Sequence, residues 1–385
     1  MKHKILSIVS YSILPYSSGG QKSIAQFNEF LGSQCDFTVI STSANDLSLV
    51  RNYTMLPWLR NGLLKFFQFS IIFKVYQLIK RKGIQCCIIE HPYMGWLGWI
   101  IRRICKIPLV VHTHNIEFLR FKSVGKKWWI ILMWYERWIL QSADIVFCIS
   151  EEDKSYMINN LFVDSKKCHV ITFGLPIPSI PIDKEEARKI VGIQHNINKE
   201  EAIILFNGVL NYEPNSNAVR NILQFINPLL LTQSNLKYKI IICGRSLPTE
   251  FNELKNIQNL IYAGLVPDIE LYFKAADIFI NPVLSGGGIK TKLVEALGFG
   301  TTVISAETGA IGCDVEVCGN KLVVIKDNDW DAFANAIIQN LQHPSKTPDS
   351  FYDKYYWGNI TKKALDIITK PSECYPITTQ TFFSN

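Results

Sequence analysis

Residues 281–300 read NPVLSGGGIKTKLVEALGFG. An apolar strand ends in Asn-Pro, the glycines Gly286, Gly287 and Gly288 follow, and Lys290, Lys292 and Glu295 fall on the first turns of a short helix. Glycines let a backbone approach an anion closely, the free N–H groups of a helix start point at it, and lysines add full charge. Thr291 lies four residues before Glu295 and Lys292 three before it, so all three share one helix face. The stretch therefore reads as a phosphate cradle after a strand end. A glycine-rich turn with a solvated Lys–Glu pair is the plain alternative.

Working outward, this strand and helix belong to an alternating series. Short β-branched runs at 202–207, 238–243, 260–263, 277–281, 301–305 and 322–325 are separated by helical stretches. An earlier series has runs at 4–10, 37–42, 86–90, 109–113, 144–149 and 169–173, with amphipathic segments such as 21–31 and 63–80 between them. Strands apolar throughout imply parallel sheets covered on both faces. The expected fold class is α/β, with two Rossmann-like doubly wound domains facing a central cleft. The proline-rich FGLPIPSIPID at 173–183 reads as a hinge. The expected division is an N-terminal domain over 1–174, a linker over 175–183 and a C-terminal domain over 184–349. The segment 350–385 is expected to be helical and to pack back on the first domain.

A chain of 385 residues that is 48% hydrophobic is long and apolar enough for two cores. Its net charge of +7 is spread out, with charged residues at 19% and no basic block, so nucleic acid is not an expected partner. Anionic small molecules or an anionic membrane fit better. Ten cysteines without CxxC spacing argue for reduced thiols, a cytoplasmic setting and no structural zinc. The N-terminal MKHKILSIVSYS reads as a first strand, not a signal peptide, and no run is long enough to span a bilayer.

Several strings now carry a resemblance: FNGVLNYEPNSNAV at 206–219, KIIICGR at 239–245, NLIYAGLVPDIELYFKAADIFINP at 259–282, GGGIKTKLVEALGFGTTVIS at 286–305 and ETGAIG at 307–312. In this order they resemble the donor domain of GT-B-fold glycosyltransferases of the family 4-like group, also called glycosyl transferases group 1. The first half is similar more loosely, through Gly19-Gly20, VVHTHNIE at 110–117 and SADIVFCIS at 142–150.

The resemblance implies a transferase that moves a sugar from a UDP- or GDP-linked donor to an acceptor hydroxyl, with retention and without a bound metal or permanent cofactor. A glycan or lipid-linked acceptor in surface polysaccharide or glycolipid assembly is implied as well. The implied donor-binding residues are Gly19, Gly20, Asn207, Gly208, Arg245, Leu265, Gly286, Gly287, Gly288, Ile289, Lys290, Thr291, Lys292 and Glu295. Glu295 would bind the ribose hydroxyls and the lysines the leaving diphosphate. His114, Lys290 and Glu295 are the implied catalytic set, with His112 and Glu117 toward the acceptor. Two departures stand out. Gly287 occupies the place of the family's second glutamate, which contacts the donor sugar. Glu213-Pro214-Asn215 replaces its usual Lys-Gly pair.

His112 and His114 end a strand, where their side chains point apart unless the strand has already stopped. His114 is expected beside the transferring sugar, where an imidazole hydrogen-bonds a hydroxyl or the developing charge. Glu117 is read as orienting it or contacting acceptor. Glu90 and His91, ending the third predicted strand, are expected to be structural. Gly19-Gly20 does not form the GxGxxG turn of a nicotinamide site. Finally, the segments at 61–82, 95–106 and 124–140 mix aromatic and basic residues as an interfacial helix does, although a buried helix looks partly similar. Peripheral contact with the inner face of the cytoplasmic membrane is the expectation. A non-catalytic nucleotide-sugar-binding subunit and a nucleotide-sugar epimerase remain as alternatives.

Overall fold

In a computed structural model, which describes residues 2–123, 125–286 and 290–370, the chain divides into two compact units. One contains the chain through Thr172 together with the chain from Trp357 onward, and the other runs from Phe173 to Tyr356.

The first unit is built on seven parallel strands: β1 (Lys4–Val9), β2 (Asp36–Thr42), β3 (Thr54–Leu59), β4 (Cys86–Glu90), β5 (Leu109–His112), β6 (Ile145–Cys148) and β7 (Cys168–Val170). Their order is β3-β2-β1-β4-β5-β6-β7. The direction of winding thus reverses between β1 and β4. Isoleucines and valines of the central strands are fully buried, with Ile8, Ile89, Val111 and Val146 at the heart of the core, each contributing about 1.5–3 kcal/mol by leaving water. The helix Gly19–Gln34 follows β1, capped by the Ser18 hydroxyl, which accepts from the Gln21 N–H. The C-terminal helix Trp357–Thr369 packs against it. Trp357 Nε1 donates to Gln26 Oε1 at 2.9 Å, and Gln34 Nε2 donates to Thr361 Oγ1 at 2.8 Å.

The second unit has six parallel strands, β8 (Ala202–Asn207), β9 (Tyr238–Cys243), β10 (Leu260–Gly264), β11 (Ile278–Asn281), β12 (Thr302–Ala306) and β13 (Leu322–Ile325), ordered β10-β9-β8-β11-β12-β13. Here the reversal lies between β8 and β11. Both sheets are therefore doubly wound in the Rossmann manner, as the alternating pattern predicts.

Three local readings change. The strand β3, TMLPWL, has no counterpart in the predicted series: it is a half-exposed edge strand interrupted by Pro57, a residue tolerated only where one ladder is missing. The single helical stretch expected at 63–80 is a short 3₁₀ turn, Leu63–Phe67, followed by the helix Ile71–Lys82. The run at 169–173 pairs only over Cys168–Val170.

Candidate functional site

Parallel sheets bind ligands beyond the carboxyl ends of their strands, at the point where the winding reverses. In both units the candidate residues gather there.

In the second unit, β8 ends at Asn207 and β9 at Cys243, and the loops after them come backbone to backbone. A Cβ on Gly244, whose φ is +156°, would lie 1.9 Å from the Gly208 carbonyl oxygen, so only glycine closes this corner. A side chain on Gly208 would meet Asn215, 2.6 Å from its amide nitrogen. Between β11 and the helix Thr291–Gly298 the chain turns through Gly286, at φ +91°. Lys290 caps that helix in extended conformation, and its Nζ donates to the Gly286 carbonyl at 2.8 Å. Leu293, Val294 and Leu297 are buried and hold the helix to the sheet.

Lys292 leaves the first turn in the other direction, toward β8. Its Nζ lies 3.3 Å from the Asn207 carbonyl oxygen and 3.2 Å from Asn215 Oδ1, and 4.5 Å from the centroid of the Phe206 ring. Every one of these partners is neutral. Burial, with Lys290 nearby, pushes the Lys292 ammonium down to about 7, the response of a cation without a counter-charge. Beside it, Asn207 Oδ1 is buried without a hydrogen-bond partner among the described residues. Glu295, one turn further along the helix, is buried. Asn207, Gly208, Gly286, Lys290, Thr291, Lys292 and Glu295 thus share the strand ends β8 and β11 and the helix start between them. Arg245 is exposed after β9, and Leu265 is exposed after β10. Gly287, Gly288 and Ile289 lie outside the described residues.

An open groove of about 880 Å³ lies elsewhere on this unit, lined by the N-terminal strand ends at Ala202, Asp277 and Thr302. Within it, Lys184 donates to the Lys274 and Phe299 carbonyls, and Arg188 to Asp277. It lies at the wrong ends of the strands for the chemistry above.

The first unit assembles a different kind of site. Strand β5 stops at His112, and from there the chain turns so that both histidines reach the same carboxylate. Glu90 Oε2 is 2.7 Å from His114 Nε2 and 3.0 Å from His112 Nδ1, and all three residues are buried. Their ring centroids are 4.3 Å apart, so the alternation of a continuing strand does not apply. Burial alone would raise the Glu90 carboxyl, but His112 and His114 against it take it well below the ordinary carboxylate range. Burial, and next His112, hold His114 down to about 3, so its ring is neutral at physiological pH.

Glu117 does not touch His114. It pairs instead with His91 Nδ1 at 3.2 Å, with the Tyr93 hydroxyl and with Arg120 at 2.6 Å. Burial would raise its carboxyl, but these neighbours bring it down to about 2. His91 takes a left-handed backbone, φ +61°, unusual for a residue with a side chain, and its Nε2 lies 2.7 Å from the Tyr11 hydroxyl beyond β1. The backbone N–H groups of Glu117 and Phe118 donate to the two oxygens of buried Glu136, each at 3.0 Å, which fixes the start of helix Glu117–Ser123. Gly19 and Gly20 open the helix after β1, with no acidic residue in its first turn and open space where a Gly20 side chain would be.

Sequence reasoning named Glu90 and His91 only as structural residues and missed Tyr11 and Glu136 as members of this network. The signal for Glu90 was present: a carboxylate ending an otherwise wholly apolar strand has to be paired. Glu136 was hidden inside a helix that reads as an aromatic and basic interfacial stripe.

Comparison with known proteins gives a family match to each half of the chain. The family model "Glycosyltransferase Family 4" matches residues 17–177, and the model "Glycosyl transferases group 1" matches residues 201–343. The UDP-Gal:alpha-D-GlcNAc-diphosphoundecaprenol alpha-1,3-galactosyltransferase of Escherichia coli is 25% identical over 359 residues, covering 88% of this chain and 88% of that protein. Among solved structures, a glycosyltransferase from Rickettsia africae superposes with a TM-score of 0.71 at 14% identity, covering 95% of this chain and 98% of that one. The HepE protein of Anabaena in complex with UDP-glucose does so with a TM-score of 0.66 at 16% identity, covering 96% and 100%. With one glycosyltransferase model on each half and a relative aligned over most of the chain, this protein belongs to the GT-B-fold, family 4-like glycosyltransferases.

Proposed function

We propose that this enzyme transfers a hexose or related sugar from a nucleoside-diphosphate sugar, UDP- or GDP-linked, to a hydroxyl of a lipid-linked glycan acceptor, with retention, in the assembly of a surface polysaccharide or glycolipid. The observation that carries the donor half is the Lys292 ammonium, which among the described residues is held at the end of β8 by neutral groups. A diphosphate supplies the missing negative charge. The placement also accounts for one departure from the family pattern: the Lys-Gly pair after β8 is replaced by Glu213-Pro214-Asn215, and Lys292 reaches Asn215 from the helix after β11. Lys290 and the helix start add to the cradle. Glu295 takes the ribose hydroxyls.

In the first unit, His114 contacts the transferring sugar, and His112 and Glu117 lie on the acceptor side. The acceptor reading draws support from the diphosphoundecaprenol substrate named for the Escherichia coli relative. It draws support also from the surface. Leu63, Phe67 and Phe73 are largely exposed, as are Ile131 and Trp134. The ring pairs Phe69–Trp96 and Trp99–Trp138 join the three segments carrying them, and Arg103 and Arg137 stack on Trp99 and Trp134. Aromatic rings with cations above them suit a headgroup boundary. Among the described residues no helix is long and apolar enough to cross a membrane, so the contact proposed is peripheral.

A thermal-shift screen of UDP-, GDP- and ADP-sugars tests the donor half, since a ligand that binds the native state raises its apparent stability. One clear responder is expected. No response to any nucleotide sugar would sink the reading.

A further inference from the structure

Glu90 has no role in the reaction as proposed, yet its surroundings are specific. Its carboxylate is wholly buried at the end of β4; one oxygen is hydrogen-bonded to His114 Nε2 and lies 3.0 Å from His112 Nδ1, and the other has no hydrogen-bond partner among the described residues. An ionised carboxylate can only accept. The proton in the 2.7 Å contact therefore sits on His114 Nε2. A neutral imidazole has one N–H, so His114 Nδ1 is left with a lone pair. That nitrogen has no hydrogen-bond partner among the described residues, and it is not among the ring nitrogens sealed from solvent, as His169 Nε2 is. The groups packed around His114 do not offer a second proton: His112 shares the same carboxylate oxygen, and His91, 4.7 Å away ring to ring, is committed to Glu117 and Tyr11.

We propose that Glu90 is a positioning residue that locks His114 as the Nε2–H tautomer, so that Nδ1 accepts a hydrogen bond from a hydroxyl of the transferring sugar. This rests on the reading that His114 contacts that sugar. It also narrows the substrate class. The sugar must carry a free hydroxyl where it meets His114, because a site built to pair with a hydroxyl rejects the analogue lacking it far more strongly than a shape-based pocket does. A histidine fixed this way orients a sugar; it does not donate a proton to the leaving diphosphate.

Nitrogen-15 NMR of the full chain labelled at histidine tests the tautomer without any variant. The result expected is a protonated Nε2 and an unprotonated Nδ1 for His114; a protonated Nδ1 overturns the proposal. The second arm is Glu90→Gln, whose amide N–H can donate to Nε2 and so invert the tautomer. Here kcat is expected to fall by about a hundredfold, the cost of a misoriented substrate, with the affinity for free nucleoside diphosphate unchanged. Partial recovery is expected in Glu90→Asp. A Glu90→Gln enzyme within twofold of wild-type kcat overturns the proposal. A scan of donor analogues, each with one sugar hydroxyl replaced by hydrogen, completes it: one position is expected to be strongly penalised in wild type and not in His114→Ala, and an equal penalty in both overturns it. A wild-type enzyme that binds nucleotide but releases none in the presence of acceptor would instead count against the transferase reading, whatever the tautomer.

Discussion

The two reversal points of this molecule solve opposite electrostatic problems. At the end of β8, a lysine is held by a carbonyl, an amide and an aromatic ring, and no carboxylate pairs with it among the described residues. At the ends of β4 and β5, buried carboxylates and imidazoles pair with one another and with tyrosines and a half-exposed arginine. The first arrangement is incomplete until an anion arrives. The second balances carboxylates against imidazoles and an arginine within the protein. In the proposed function, a ligand that brings charge is assigned to the former, and a ligand read by its hydroxyl pattern to the latter.

The contrast can be broken most forcefully at His114. His114→Ala is expected to lower kcat by about a hundredfold or more, the cost of losing orientation of the sugar, while leaving nucleotide affinity near wild type, as separate turnover and calorimetric measurements would show. Equal, small effects on both would make the histidine merely structural. Next in size, Lys292→Met should weaken nucleoside-diphosphate binding by about 10–100-fold, the range of a charge-assisted hydrogen bond, whereas Lys292→Arg should lose less. Unchanged affinity in the methionine variant would remove Lys292 from the donor site. Glu295→Ala is expected to cost about tenfold in donor affinity, with no change for a ligand that lacks the ribose.

A subtler effect concerns pH. Lys292 is depressed to about 7 in the free protein, and a bound diphosphate favours its charged form. The complex therefore holds more protons than the free enzyme between pH 7 and 9, and nucleotide affinity should fall as pH rises through that window. Calorimetry in buffers of different ionisation enthalpy should show proton uptake at pH 8, absent in Lys292→Arg. Smallest of all, replacing exposed Phe67 and Trp134 by serine should weaken binding to vesicles containing anionic lipid without altering nucleotide affinity. Retained vesicle binding would return those side chains to an ordinary exposed surface.

How much was legible in the sequence follows the same division. The proposed donor site is largely local: the strand end, Gly286, the lysines and the glutamate lie within one short stretch, while Asn207, Gly208 and Asn215 come from the end of β8 and the segment after it. Only the direction of Lys292 toward Asn215 needed coordinates. The other site is assembled from strand ends far apart in the chain. Glu90 meets His114, and Tyr11 meets His91, because β1, β4 and β5 are neighbours in the sheet, which periodicity does not reveal. Even the histidine pair was misleading in isolation, since the rule of alternating side chains fails where β5 stops at His112. The edge strand β3 escaped for a related reason, its exposed residues and Pro57 masking the pattern that a buried strand shows.

Acceptor-dependent release of free nucleoside diphosphate from a nucleotide sugar tests the proposed transfer most directly, using the full chain with a diphospholipid-linked glycan as acceptor. Release is expected only when donor and acceptor are both present, and it should be lost in His114→Ala under conditions where the nucleotide still binds. Tight donor binding with no release, or interconversion of the sugar in the absence of acceptor, would contradict it.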